Sequence, residues 1–142
     1  MNKMKGRTIL ELSIADKASY QKTISETDVY LFAGISGDNN PAHMNDVEAK
    51  NTIFKERIVH GMLTASLISA VLGVQLPGPG TIYLAQDLKF TAPVRFGDTI
   101  CAEVEVIEIN LNKNIVKLKT TCTNQNDIIV VSGSATVMPP KL

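Results

Sequence analysis

The sequence predicts an α+β fold in which one long helix fills a curved antiparallel sheet. Three observations predict it. The stretch Val59–Leu76, VHGMLTASLISAVLGVQL, is apolar around most of a helical wheel, with only small residues such as Gly61, Ala65, Ser66, Ser69, Ala70 and Gly73 between the large ones. A helix that is apolar all round is buried all round. After the hard break Leu76-Pro77-Gly78-Pro79-Gly80 the texture changes to extended runs. A run of about 12 extended residues spans roughly 40 Å, against roughly 24 Å for a helix of about 16 residues, so such strands can curl around it. Finally, short turns join the last strands, and a short turn permits only an antiparallel neighbour.

The elements follow in order. Residues 1–8 read as a loose N-terminal segment of a single domain spanning 1–142. Ala18–Ile24 alternates and predicts a first strand. Ser25-Glu26-Thr27-Asp28 has the form of a capping box. Val29, Leu31, Phe32 and Ile35 then make a short helix, stopped by Gly34, Gly37 and the run Asn39-Asn40-Pro41. A loop over Gly37–His43, a helical turn at Asp46–Lys50 and a polar connector lead to the central helix. Thr81–Phe96 reads as one long extended run with Pro93 at a bulge or edge. In Thr99–Ile109, Ile100, Ala102, Val104 and Val106 share one face, until Ile107 and Ile109 break the phase. Ile115–Thr123 and Ile128–Val137 are two further strands.

Composition narrows the partners. Lys plus Arg equals Asp plus Glu, 14 against 14. A nucleic-acid or anionic-membrane surface needs a basic excess, so neither partner is expected. A neutral surface also suits a chain that buries part of itself against a second copy. The central run is short for a bilayer span and carries a His, a Thr and two Ser. The basic start has no apolar segment behind it, so no signal peptide is expected there. Cys101 and Cys122 show neither metal spacing nor a disulfide framework, and free thiols point to a reducing, cytoplasmic setting.

The residues able to do chemistry are few. With two histidines, His43 and His60, and no cysteine near either, Cys/His metal sites are not expected. No glycine-rich nucleotide cradle and no nucleophile elbow occurs. The segment that stands out is Gly37-Asp38-Asn39-Asn40-Pro41-Ala42-His43. Pro41 and its Asn neighbours argue against a regular helix there, and in a tight loop Asp38 and His43 converge. A carboxylate and an imidazole sharing one water form a general acid–base pair, the Asp setting the ring's orientation, with Asn40 placed to hold the carboxylate through its amide. The same residues also make an ordinary Asx-turn loop, and spacing does not choose between the two. His60 reads as a packing or capping residue. Ser66 and Ser69 read as hydroxyls bonded back to the preceding turn. Gly61, at the helix start, either permits close packing or offers its N–H to an anion or carbonyl oxygen.

The Gly37–His43 segment resembles the hydratase-2 motif of the MaoC-like, (R)-specific enoyl-CoA hydratases. The similarity extends through Phe54–Leu63, Leu76–Tyr83 and Phe90–Asp98, and covers about residues 23–137. Two departures, Ala42 for a larger aliphatic residue and Asn45 for a frequent acid, leave the Asp–His pair intact. The resemblance implies the hot-dog fold, usually as a homodimer, and reversible syn-hydration of a trans-2-enoyl-CoA to an (R)-3-hydroxyacyl-CoA. It implies Asp38 and His43 as the catalytic pair, Asn40 as support and the Gly61 N–H as donor to the thioester oxygen. Ser69 and Leu72 would meet the acyl group, and these side chains suggest a short one such as crotonyl. The resemblance implies an acyl-CoA thioester as substrate, with no cofactor and no metal expected. Polyhydroxyalkanoate supply and fatty acid metabolism would use the same residues. The alternatives are a 3-hydroxyacyl-carrier-protein dehydratase, a non-catalytic acyl-CoA-binding module and a thioesterase.

Overall fold

A computed structural model describes residues 4–142 of the chain. Six strands, β1 (Lys17–Thr23), β2 (Ile82–Gln86), β3 (Lys89–Phe90), β4 (Thr99–Asn110), β5 (Ile115–Thr123) and β6 (Ile129–Met138), form one sheet. Its order is β1-β4-β5-β6-β2, with β3 also on β6, and every pairing is antiparallel. Among the described residues four α-helices accompany it: α1 (Glu26–Ser36), α2 (Pro41–Met44), α3 (Asp46–Ala49) and α4 (Gly61–Val74). The sheet curls around α4, which is the hot-dog arrangement.

Side-chain alternation produces the sheet's inner face. Ile100, Ala102, Val104 and Val106 on β4 and Val116 and Leu118 on β5 are wholly buried. The break in phase at Ile107 is a bulge: the β4–β5 register shifts between Val106 and Glu108. The predicted single run over Thr81–Phe96 is instead two strands. The backbone leaves the sheet at Asp87, whose carbonyl oxygen lies 2.0 Å from where a Cβ on Gly133 would stand. Only glycine fits beneath it, and the Asp87 carboxylate holds the crossing by accepting from the Ser134 N–H and hydroxyl.

Helix α4 packs Leu67, Ile68, Val71 and Leu72 into the core formed with the sheet. It is not buried all round. Met62, Ser66, Ser69 and Gly73, spaced at helical intervals, stay exposed along one stripe with Val74. The core takes Leu67, Ile68, Val71 and Leu72, and the stripe left uncovered is mostly small residues, with Met62 and Val74 at its ends. The helix is also shorter than the apolar run, because Val59 is extended, its N–H donating to the Val94 carbonyl at 2.8 Å.

The expected loose segment 1–8 needs correction where it is described; residues 1–3 lie outside the described residues. The N–H groups of Gly6 and Arg7 donate to the Pro79 and Pro77 carbonyls at 3.0 and 2.8 Å. Gly6 is pressed so closely to the proline loop that a Cβ there would sit 2.4 Å from the Pro79 oxygen. Cys101 and Cys122 are free thiols, and burial pushes the Cys122 thiol up to about 12. Among the described residues no helix is long and apolar enough to cross a membrane.

Two residues one turn apart on α4 differ sharply in surroundings, Leu72 being 1% exposed and Ser69 exposed. Urea unfolding should show Leu72→Ala destabilised by about 2–5 kcal/mol, through lost contacts and a cavity. Ser69→Ala should stay within about 0.5 kcal/mol of the parent.

Candidate active site

Three segments converge at the N-terminus of α4. The first is the end of α1. Ser25 and Asp28 make the predicted capping box at its start. Gly37 ends it in the left-handed conformation, φ 81°, turning the chain so that Asp38 follows in a loop. The second segment is α2. The sequence argued against a helix here because of Pro41, but Pro41 occupies the first helical turn, where its missing N–H has no partner to lose. Asn40 is the N-cap, its side-chain oxygen accepting from the Ala42 N–H at 3.0 Å. That capping bond occupies the Asn40 oxygen. It is the main-chain N–H of Asn40 that donates to the Asp38 carboxylate, at 3.2 Å. His43 therefore projects from a helix and is buried.

The third segment is Ile58–Gly61. The His43 Nδ1 lies 2.7 Å from the Ile58 carbonyl oxygen. A carbonyl only accepts, so Nδ1 carries the proton and Nε2 is left with its lone pair. The Ile58 carbonyl, rather than Asp38, fixes the orientation of this ring. His60, 1% exposed, places its Nε2 2.9 Å from the Asp38 main-chain oxygen. By the same logic that nitrogen donates. The two imidazoles stack with centroids 3.9 Å apart, and Phe32 lies against His60 at 4.8 Å.

The result is a compact polar group: one atom each of the Asp38 carboxylate, the His43 ring and the His60 ring lie within 4.8 Å of one another. Two of them at that spacing can bond a single water, since each hydrogen bond reaches about 2.8 Å. A carboxylate with two imidazoles is also a set that metals use. Here His60 commits Nε2 to the Asp38 carbonyl, and its Nδ1 is closed off from the surface.

The group opens into a cavity of about 450 Å³ lined by Asp38, His43, His60, Gly61 and Thr64 and otherwise mostly by apolar residues, among them Ile58, Phe90 and Val131. Gly61 is the first residue of α4, where N–H groups lack helical partners. The Phe90 ring crosses so close that a Cβ on Gly61 would lie 2.7 Å from it. Ser69 lines a second cavity of about 430 Å³ with Phe32, Tyr83 and Leu88, and Met62 borders both. The expected place of Leu72 at the acyl group is not met. Leu72 lines neither cavity and packs in the core, because its side chain points to the sheet. Sequence reasoning missed His60 as a member of the group, although its place immediately before Gly61 at the helix start was visible.

Arg57 ties the convergent segments together from outside. It ion-pairs with Glu26 of α1 at 2.8 Å and Asp46 of α3 at 2.6 Å, and donates to the Tyr30 hydroxyl at 2.7 Å. These bonds, that to Tyr30 first, hold its guanidinium even further above the usual arginine range.

A small polar group at a helix N-terminus inside a wrapped sheet defines a hot-dog protein with a polar site at the head of its central helix. The chain belongs to the MaoC like domain family, whose pattern it matches over residues 14–127. It is 55% identical over 130 residues to the (R)-specific enoyl-CoA hydratase of Rhodospirillum rubrum, covering 92% of this chain and 90% of that one. It is 48% identical over 121 residues to the 3-hydroxybutyryl-CoA dehydratase of Methylorubrum extorquens, covering 85% and 76%. Among solved structures, the R-hydratase PhaJ1 from Pseudomonas aeruginosa superposes with a TM-score of 0.90 at 48% identity, over 96% of this chain and 88% of that one.

Burial depresses the pKa of His60, the neighbouring His43 adding to the effect and the bond to the Asp38 carbonyl opposing it. The folded value thus lies below the ordinary 6.5. Under acid the unfolded chain binds the extra proton first, so stability is lost as pH falls through 6.5 toward the lowered value. Thermal midpoints measured from pH 7 down to pH 5 should drop more in the parent protein than in His60→Gln, with about equal behaviour above pH 7.

Proposed function

We propose that the chain is an (R)-specific enoyl-CoA hydratase, adding water reversibly to a short trans-2-enoyl-CoA such as crotonyl-CoA, with no metal or cofactor. The observation that carries this reading is the meeting of the Asp38 carboxylate and the His43 ring within 4.8 Å, in a cavity that includes the first residue of α4. Asp38 and His43 hold the water between them. The lone pair on His43 Nε2 faces a proton donor, and the carboxylate accepts the water's other proton in a hydrogen bond. The water oxygen bonds C3 as one of its O–H bonds breaks, the pair takes that proton, and a proton returns from the pair to C2. Both additions come from the one side of the substrate that the pair occupies, which makes the addition syn. As C3 is attacked, charge flows to the thioester oxygen. The Gly61 N–H donates to that oxygen, aided by the helix field, and a positioned donor of this kind is worth about 3–4 kcal/mol. Asn40 supports the site through its main-chain N–H on the carboxylate and by starting the helix that carries His43.

The acyl end continues toward Ser69, since Met62 borders both cavities. The working unit is a homodimer. The exposed α4 stripe lies beside β2, a sheet edge whose Ile82, Tyr83 and Leu84 are exposed, and a second copy would cover both. The zero net charge gives the carrier-protein alternative no particular support.

The enoyl-thioester ultraviolet absorbance of crotonyl-CoA should disappear on adding the protein, and Asp38→Asn should slow this by about 10²–10⁴-fold. An inert folded parent, or an Asp38→Asn variant at full rate, rejects the reading. Dialysis against EDTA should leave the rate unchanged; loss restored by one added divalent ion would put a metal in the site. Light scattering behind a sizing column should give the mass of two chains, and a one-chain mass would reject the dimer.

A further inference from the structure

We propose that His60 is a positioning residue: its Nε2–H holds the main chain of Asp38 while its ring backs that of His43, fixing the two partners against each other and against the Gly61 amide. The bond to the Asp38 carbonyl is 2.9 Å and links α4 to the loop after α1. The stack on His43, 3.9 Å between centroids, links α4 to α2. Its own backbone is the N-cap of α4, one bond from Gly61. Phe32 of α1 also lies against the ring, 4.8 Å between centroids, so the imidazole packs on a second aromatic ring besides its fellow imidazole.

The chemistry of the position explains why a histidine occupies it. A donor is needed for the Asp38 carbonyl, and a flat ring is needed behind His43. Phenylalanine supplies the ring without the donor; glutamine supplies a donor without the ring. The buried position favours the neutral ring, consistent with the depressed pKa. A neutral His60 places no positive charge against His43, which must itself accept a proton. Groups held by a supporting shell lose rate steeply once they shift, about a hundredfold for a displacement near 1 Å.

The test uses the full-length protein and two variants, with a spectroscopic arm that does not depend on turnover. The chain has only two histidines, so a nitrogen-15 imidazole spectrum of the parent holds two ring systems. One should carry its proton on Nδ1 and the other on Nε2, and His60→Gln should remove the Nε2-protonated one. In kinetics with crotonyl-CoA, His60→Phe should lower kcat by about 10–100-fold with KM within about threefold, and His60→Gln should recover at least about tenfold of that loss. Two rings with the same tautomer, a His60→Phe enzyme at parental kcat, or a His60→Gln enzyme no faster than His60→Phe would each overturn the proposal. The inference rests on the hydratase reading for its kinetic arm alone. An inert parent would sink that reading, while the ring spectrum would still decide whether His60 donates to the Asp38 loop.

Discussion

The structure depends on how α4 is held in the sheet. Leu67, Ile68, Val71 and Leu72 are buried on it against Ile100, Val104 and Leu118. Burying each such side chain contributes about 1.5–3 kcal/mol, so the helix cannot slide or roll without exposing several at once. Once its axis is fixed, its N-terminus is fixed too, and with it the Gly61 amide. Everything polar in the cavity is then arranged around an amide that the apolar core has already placed. The loop after α1 and the short helix α2 need only reach that point. The Ile58↔Arg95 bridge and the Val59–Val94 hydrogen bond hold the incoming strand-like segment against the sheet side of the cavity.

The architecture was legible in the sequence because it follows from side-chain periodicity. The alternation on β4 predicted its buried face, and the loss of phase at Ile107 is the site of the bulge. The capping box at Ser25 formed as written. Periodicity has no signal for a residue that must be absent, and for that reason the break between β2 and β3 was missed. It arises from the Asp87 backbone lying over Gly133, a contact between segments far apart in the chain. The burial of α4 was overstated for a related reason. An apolar or small residue on a helical wheel reads as core, yet Ser66, Ser69 and Gly73 are small enough to be left uncovered.

The site was legible in its side chains and not in its backbone. Asp38 and His43 do meet, and Gly61 does open the helix that faces them. What the sequence did not disclose is who orients whom. Asp38 was expected to set the His43 ring, and Asn40 to steady the carboxylate through its amide. In the fold both tasks fall to main-chain groups: the Ile58 carbonyl sets His43, and the Asn40 N–H steadies Asp38. Every residue has those groups, so no residue type advertises them. Leu72 shows the converse, a side chain of plausible type whose direction on the helix sends it into the core.

This division explains how Pro41 acts. Read alone, a proline between Asn40 and His43 breaks a helix. With Asn40 as the cap, it begins one, and the helix turns His43 back toward the Ile58 carbonyl instead of out to solvent. The carbonyl then leaves a single nitrogen of that ring free to exchange protons. His60 is treated in the same way by a different carbonyl, that of Asp38, which protonates the opposite ring nitrogen. Two imidazoles in contact are thereby given different work. One offers a lone pair to the cavity, and the other donates its proton to the loop that carries the carboxylate. A pair of like residues has been made unlike by two backbone oxygens, and these are in place because the core fixed the helix start between them.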